Sequence, residues 1–178
     1  MVAVAAGVPV ELPAAPPPEA SRLGVAGAEA LIMVLRMVGG VRTGEDTEDL
    51  RTFLTRLDRS PVVHETFVLA CSNHGDERPT WTYAEADPVA GAARRRCLQC
   101  ATNVWVLDSE ERWNFPHMWS CGSCGQSIAE IAAGLSMPDG THVDWVVLGA
   151  RCVDCGRIDG LTDFVLPGTP LGHVVANL

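Results

Sequence analysis

Cys97-Leu-Gln-Cys100-Ala-Thr-Asn-Val-Trp-Val-Leu-Asp-Ser-Glu-Glu-Arg-Trp-Asn-Phe-Pro-His-Met-Trp-Ser-Cys121-Gly-Ser-Cys124 is the stretch on which the fold turns. Two cysteines three residues apart across a tight turn aim both sulfurs at one point, with the turn's amides facing the thiolates. Two such pairs about twenty residues apart have the spacing of a structural tetrahedral metal site. Between them, residues 103–108, then Ser109-Glu-Glu-Arg112, then residues 113–119 read as strand, turn and strand, an arrangement that carries the second pair back to the first.

Working outward, the same spacing recurs twice. Cys152 and Cys155 form a third Cys-x-x-Cys pair, and Cys71-Ser-Asn-His74 makes a fourth half-site with an imidazole in place of one thiolate. Eight candidate ligands, Cys71, His74, Cys97, Cys100, Cys121, Cys124, Cys152 and Cys155, suffice for two four-ligand centres. The chain also hints at duplication. Val68-Leu-Ala-Cys71-Ser-Asn-His74-Gly75 parallels Met118-Trp-Ser-Cys121-Gly-Ser-Cys124-Gly125, and Arg96-Cys97-Leu-Gln-Cys100 parallels Arg151-Cys152-Val-Asp-Cys155. The repeat favours pairing the half-sites in sequence, one metal per copy. Hairpin spacing favours a nested scheme that joins the two middle half-sites, and a crossed scheme uses the same eight ligands.

Cys97-Leu-Gln-Cys100 and Cys121-Gly-Ser-Cys124-Gly125 resemble the two knuckles of a zinc ribbon. With the outer half-sites included, the resemblance spans residues 62–168. It implies a metal-supported β-hairpin fold and is almost silent about function, because zinc ribbons serve transcription, translation, enzymes and scaffolds alike.

Seven cysteines is an odd number, no secretory signal is visible in the sequence, and a reducing interior disfavours disulfides. Thioredoxin-like chemistry at Cys121-Gly-Ser-Cys124 is disfavoured by the two similar pairs that flank it. Iron in a rubredoxin-like site suits tetrahedral sulfur; a set of three thiolates and one imidazole is less typical of electron transfer, so two Zn2+ ions are expected.

All thirteen basic residues are arginine, and 22 acids leave the 178-residue chain at -9. Seven thiolates and two zinc ions would take that to about -12. This is the wrong sign for phosphate neutralisation, so nucleic acid is not the expected partner. The run Arg94-Arg95-Arg96 is the local exception, and its ordinary use is to cover acids or shield thiolates.

Residues 1–22, rich in Ala and Pro, read as a disordered leader. Residues 26–38 read as an apolar helix closed by Gly39-Gly40, and a second helix follows, capped by Thr47, with Leu50, Phe53, Leu54 and Leu57 on one face. Together they predict a helical hairpin over 23–60. From Pro61 short strands are expected at 62–70, 81–84, 103–108, 115–120, 142–150 and 161–166. One helix near Ser127, with Ile128, Ile131, Ala132 and Leu135 on a face, ends at Pro138-Asp139-Gly140. A double zinc-ribbon domain is thus expected over 61–168, with a C-terminal tail over 169–178. Neither a targeting signal nor a bilayer-length apolar run is visible, so a cytoplasmic protein is expected.

No nucleophile elbow, P-loop, dinucleotide fingerprint or H-E-x-x-H is present. His117, near Cys121, reads as a packed strand residue, His64, His142 and His173 as isolated side chains, and Asp159-Gly160 as a turn. The expected molecule is a small α+β protein with two structural zinc sites, no enzyme, and a role as a protein-binding adaptor or assembly component. The alternatives are a nucleic-acid-associated zinc-ribbon factor using Arg94–Arg96 and exposed tryptophans, and a rubredoxin-like iron redox protein.

Overall fold

A computed structural model describes residues 36–38, 40–58, 61–74 and 80–178. A short hairpin of β1 (Arg36–Val38) and β2 (Val41–Thr43) leads into α1 (Thr47–Thr55). An eight-stranded antiparallel sheet follows: β3 (Glu65–Val68), β4 (Thr82–Asp87), β5 (Ala92–Cys97), β6 (Asn103–Val106), β7 (His117–Met118), β8 (Ile128–Ser136), β9 (His142–Cys152) and β10 (Ile158–Pro170). One helical turn, α2 (Ser109–Arg112), and a closing helix, α3 (Leu171–Ala176), complete it. The mixture is α+β, dominated by the sheet.

The strand order β10-β9-β8-β4-β5-β6, with β3 added to β8 and β7 added to β4, has an internal symmetry. Residues 65–106 and 117–170 each run short strand, half-site, strand, turn, strand, half-site, strand. The central pair Thr82↔Ala129 lies on the pseudo-dyad, because Thr82 faces Cys97 in one copy as Ala129 faces Cys152 in the other. Around it the registers match. Val68↔Ala132 and Phe67↔Ala133 correspond to Met118↔Glu85 and His117↔Ala86. Arg96↔Asn103 corresponds to Arg151↔Ile158. The amide of Leu69 donates to Ile131 O as that of Trp119 donates to Ala84 O. The first strand of each copy is therefore hydrogen-bonded to the other copy.

The region read as a helix from Ser127 is β8, which corrects that expectation. Ala129, Ile131, Ala133 and Leu135 enter the main core, while Ala132 and Gly134 face α1 and Val63 on the other side. A strand buried on both faces loses its alternation, and its apolar run imitates a helix. A second correction concerns 103–119: β6 pairs with β5 and β7 with β4, so this stretch is no hairpin and delivers Cys121 to a different centre from Cys97. The cap of α1 is Asp46, one residue before Thr47, accepting from the amides of Glu48 and Asp49 at 2.9 and 3.1 Å. The helix expected at 26–38 lies outside the described residues except for 36–38, which are strand β1; the leader at 1–22 lies outside them entirely. Residues 171–176, expected as tail, are α3, with Val174 fully buried. Asp159-Gly160 is part of β10 rather than a turn.

The main core fills the inner face of the sheet with Ile131, Leu135, Leu148, Val106, Phe164 and their neighbours. α1 covers the outer face of the second copy, where Leu50 and Leu54 approach Gly149 so closely that a Cβ there would meet them at 3.0 and 3.1 Å. Arg151 anchors the segment entering α1, donating to Gly44 O at 3.0 Å, to Glu45 O, and to the Glu130 carboxylate at 2.7 Å. The amide of Gly44 donates to Gly156 O at 2.9 Å.

Two glycines of the same turn type separate backbone conformation from contact. Gly125 (φ +75) has open space around a Cβ, whereas a Cβ on Gly156 (φ +72) would lie 2.4 Å from Gly44 O. Gly125→Ala is expected to cost about 1 kcal/mol, the ordinary charge for a left-handed alanine. Gly156→Ala is expected to cost at least twice that, because it also displaces the segment leading into α1. Chemical unfolding of the two variants checks the difference.

Candidate metal centres

Each half-site is a tight turn closed by its own backbone. The amides of Ala101, Gly125 and Gly156 donate to the carbonyls of Cys97, Cys121 and Cys152 at 3.0, 2.8 and 3.0 Å, and that of His74 to Cys71 at 3.2 Å. The closing residues take positive φ, +75 at Gly125, +72 at Gly156 and +59 at Ala101, which adopts this conformation without being glycine.

These turns bring the eight side chains into two groups, Cys71, His74, Cys97 and Cys100, and Cys121, Cys124, Cys152 and Cys155. Within each group all four ligand atoms lie within 4.8 Å of one another. The pairing is sequential, one group per copy, and among the described residues these are the only such groups of His, Cys, Asp or Glu. Cys71 Sγ is 3.7 Å from Cys100 Sγ, and His74 Nε2 is 3.3 Å from Cys97 Sγ. In the second group Cys121 Sγ is 3.4 Å from Cys155 Sγ and Cys124 Sγ 3.6 Å from Cys152 Sγ. A tetrahedral ion with metal–sulfur bonds of about 2.3 Å has sulfur–sulfur edges of about 3.8 Å. The separations fit such an ion and are far beyond the roughly 2.05 Å of a disulfide.

Polar neighbours tune the donors. The Thr102 hydroxyl, 3.2 Å from Cys100 Sγ, and the Thr102 amide bring the Cys100 thiol down to about 6. Asn73 Nδ2 donates to Thr102 Oγ1 at 2.8 Å and holds that hydroxyl in place. Against the burial that opposes it, the amides of Cys124 and Ser123 lower Cys121 to about 7; burial, assisted by its neighbouring thiols, pushes Cys155 up to about 12. Four thiolates packed together cannot all ionise without a cation.

Arginines stand beside both groups. Arg95, on the inner face of β5, is buried, and its charge is favoured by Cys71 and Cys97 against the burial that disfavours it. Arg157 donates to Ser123 Oγ at 3.1 Å and pairs with Asp159 at 2.6 Å, beside Gly122 of the second group. Arg94 pairs with Glu85 and stacks on Trp105 and Trp113, which pack edge to face at 4.8 Å. Trp145 is buried and donates to Asp163 at 2.7 Å.

His117 is exposed on β7 rather than packed, and belongs to neither group. His64 Nδ1 accepts from the Met137 amide at 2.9 Å, His142 pairs with Asp139 across a turn, and His173 lies on α3. Sequence reading overlooked Thr102 and Asn73, whose signal was their place beside the half-site ligands. No helix among the described residues is long and apolar enough to cross a membrane.

No family model matches the chain, and neither a curated protein nor a solved structure matches it significantly.

Metal ligands bind as thiolates and neutral imidazole, so protons compete with the ion. Contact with Cys97 raises His74 above its ordinary value, and Cys155 is raised as well; both must give up a proton on binding. Metal affinity is therefore expected to rise with pH through the neutral range, to go on rising above it because Cys155 is still protonated there, and to be lost on acidification. Competition with a chromophoric chelator across that range checks the sign.

Proposed function

We propose that the protein is a non-catalytic, zinc-stabilised scaffold that works by binding other proteins, with one Zn2+ in each copy of the repeat. The observation that carries this reading is the donor count. Each group supplies four ligand atoms, three thiolates with an imidazole or four thiolates, which is the set of a closed structural site. A catalytic zinc instead keeps one position for water or substrate.

The fold supports the same reading. β3 enters the first centre but pairs with β8, and β7 enters the second but pairs with β4, so an ion at either centre fastens a strand belonging to both copies. Structural zinc contributes on the order of 10 to 16 kcal/mol in small peptides, comparable to the stability of a whole domain. The surface then carries the function, and its exposed apolar residues, among them Trp81, Leu98 and Met118, suit protein contacts.

Metal analysis of the purified protein should find two zinc ions per chain, and stripping them with a chelator should abolish the cooperative unfolding transition. Substoichiometric metal, iron in place of zinc with visible absorption, or a fold that survives stripping would contradict the proposal. The shared strands add a further expectation. His74→Ala, which disables the first centre, should weaken zinc binding at the second by about tenfold, within the usual range of coupling between sites. Chelator competition on the single variant measures that coupling, and an unchanged second site would show the centres to be independent.

A further inference from the structure

The pseudo-dyad maps the outer face of the second copy, covered by residues 43–54, onto an uncovered face of the first. In the matching registers Arg151 corresponds to Arg96, Gly149 to Arg94, Ile158 to Asn103 and Val68 to Met118. Leu98, whose amide donates to Trp81 O, corresponds to Val153, whose amide donates to Ile128 O. Where α1 lies on the second copy, the first has a cavity of about 470 Å³ lined by Tyr83, Glu85, Arg94, Arg96, Leu98 and Met118 among others. Apolar surface stands around it, with Met118 58%, Trp81 53% and Leu98 39% exposed.

The differences between the faces define what fits. Gly149, which admits Leu50 and Leu54, is replaced by Arg94, and Ile158 by Asn103, so the floor is polar. Glu85 accepts from Arg94 at 2.8 and 2.5 Å and is neutralised by it. Arg96 is exposed, has no polar partner among the described residues, and occupies the position from which Arg151 grips the segment entering α1. Ala101 stands in place of Gly156, whose bare Cα lets Gly44 approach, so its methyl excludes an equally close backbone contact.

We infer that this face docks a segment of a partner protein through side chains, a carboxylate reaching Arg96 and an adjacent large apolar residue lodging between Leu98 and Met118. The inference rests on the protein-binding reading above and gives it a place and a chemistry. The Arg96 guanidinium, without a polar partner among the described residues, supplies charge complementarity in an otherwise acidic chain, and exposed Trp, Met and Arg, with a half-buried Tyr83 beside them, are residue types that anchor protein interfaces.

The test selects a random peptide library against the full-length, zinc-loaded chain and measures the affinity of individual synthetic peptides. Enriched peptides are expected to carry Asp or Glu beside a large apolar residue. Arg96→Glu and Met118→Glu should each weaken them by about tenfold or more, whereas Val165→Glu, on exposed β10, should not. Zinc content and circular dichroism confirm that each variant is folded, and Arg96→Gln replaces Arg96→Glu if that variant fails. Peptides that bind equally well to the wild type and the Arg96 and Met118 variants would overturn this face and leave the protein-binding reading standing. Absence of any enriched peptide would overturn both.

Discussion

Four ligand atoms drawn within 4.8 Å of one another, twice over, are the constraint that the rest of the structure obeys. Thiols concentrated in this way cannot all ionise in the absence of a cation, and Cys121 and Cys155 fall on opposite sides of the ordinary thiol range, because burial raises Cys155 while the turn amides outweigh burial at Cys121. The turn amides, Thr102, Arg95 and Arg157 ease the charge without cancelling it. A dication would cancel two of the three thiolate charges at the first centre and two of the four at the second, and in doing so would tie each pair of turns into a single unit.

Symmetry distributes that fastening over the whole sheet. Because the first strand of each copy is lent to the other, neither copy has a complete sheet of its own, and the centres sit at the ends of strands that cross the pseudo-dyad. The copies differ on their outer faces. Small residues in the second, Ala132, Gly149 and Gly156, let α1 and its leading segment press onto the sheet; Glu85, Arg94 and Ala101 occupy the same places in the first and leave a polar floor open to solvent. One architecture thereby presents a filled face and an open one.

The ligands were legible because the geometry of a metal half-site is local: three-residue spacing and a turn can be read without knowing the fold. The sequential pairing was legible only as a repeat, since strand exchange depends on which edge of β8 accepts β3 and which edge of β4 accepts β7, and no short window encodes that choice. β8 was misread as a helix because burial on both faces erased its alternation. β5 was not among the expected strands because three consecutive arginines carry no apolar alternation; Arg94 covers Glu85, Arg95 turns inward beside the thiols and Arg96 turns outward, an alternation belonging to a strand. α1 was legible apart from its cap and its C-terminal end, since its stripe of Leu50, Phe53 and Leu54 has a plain helical period; Leu57, read as part of the same face, lies beyond the last helical residue, Thr55.

The most direct test of the central claim is cadmium-113 NMR of the protein loaded with that ion, which reports the donor set at each site. Two resonances are predicted, one from three sulfurs and a nitrogen and one from four sulfurs, with scalar couplings joining the first to Cys71, Cys97 and Cys100 and the second to Cys121, Cys124, Cys152 and Cys155. A single resonance, or couplings that link Cys97 and Cys121 to the same ion, would contradict it.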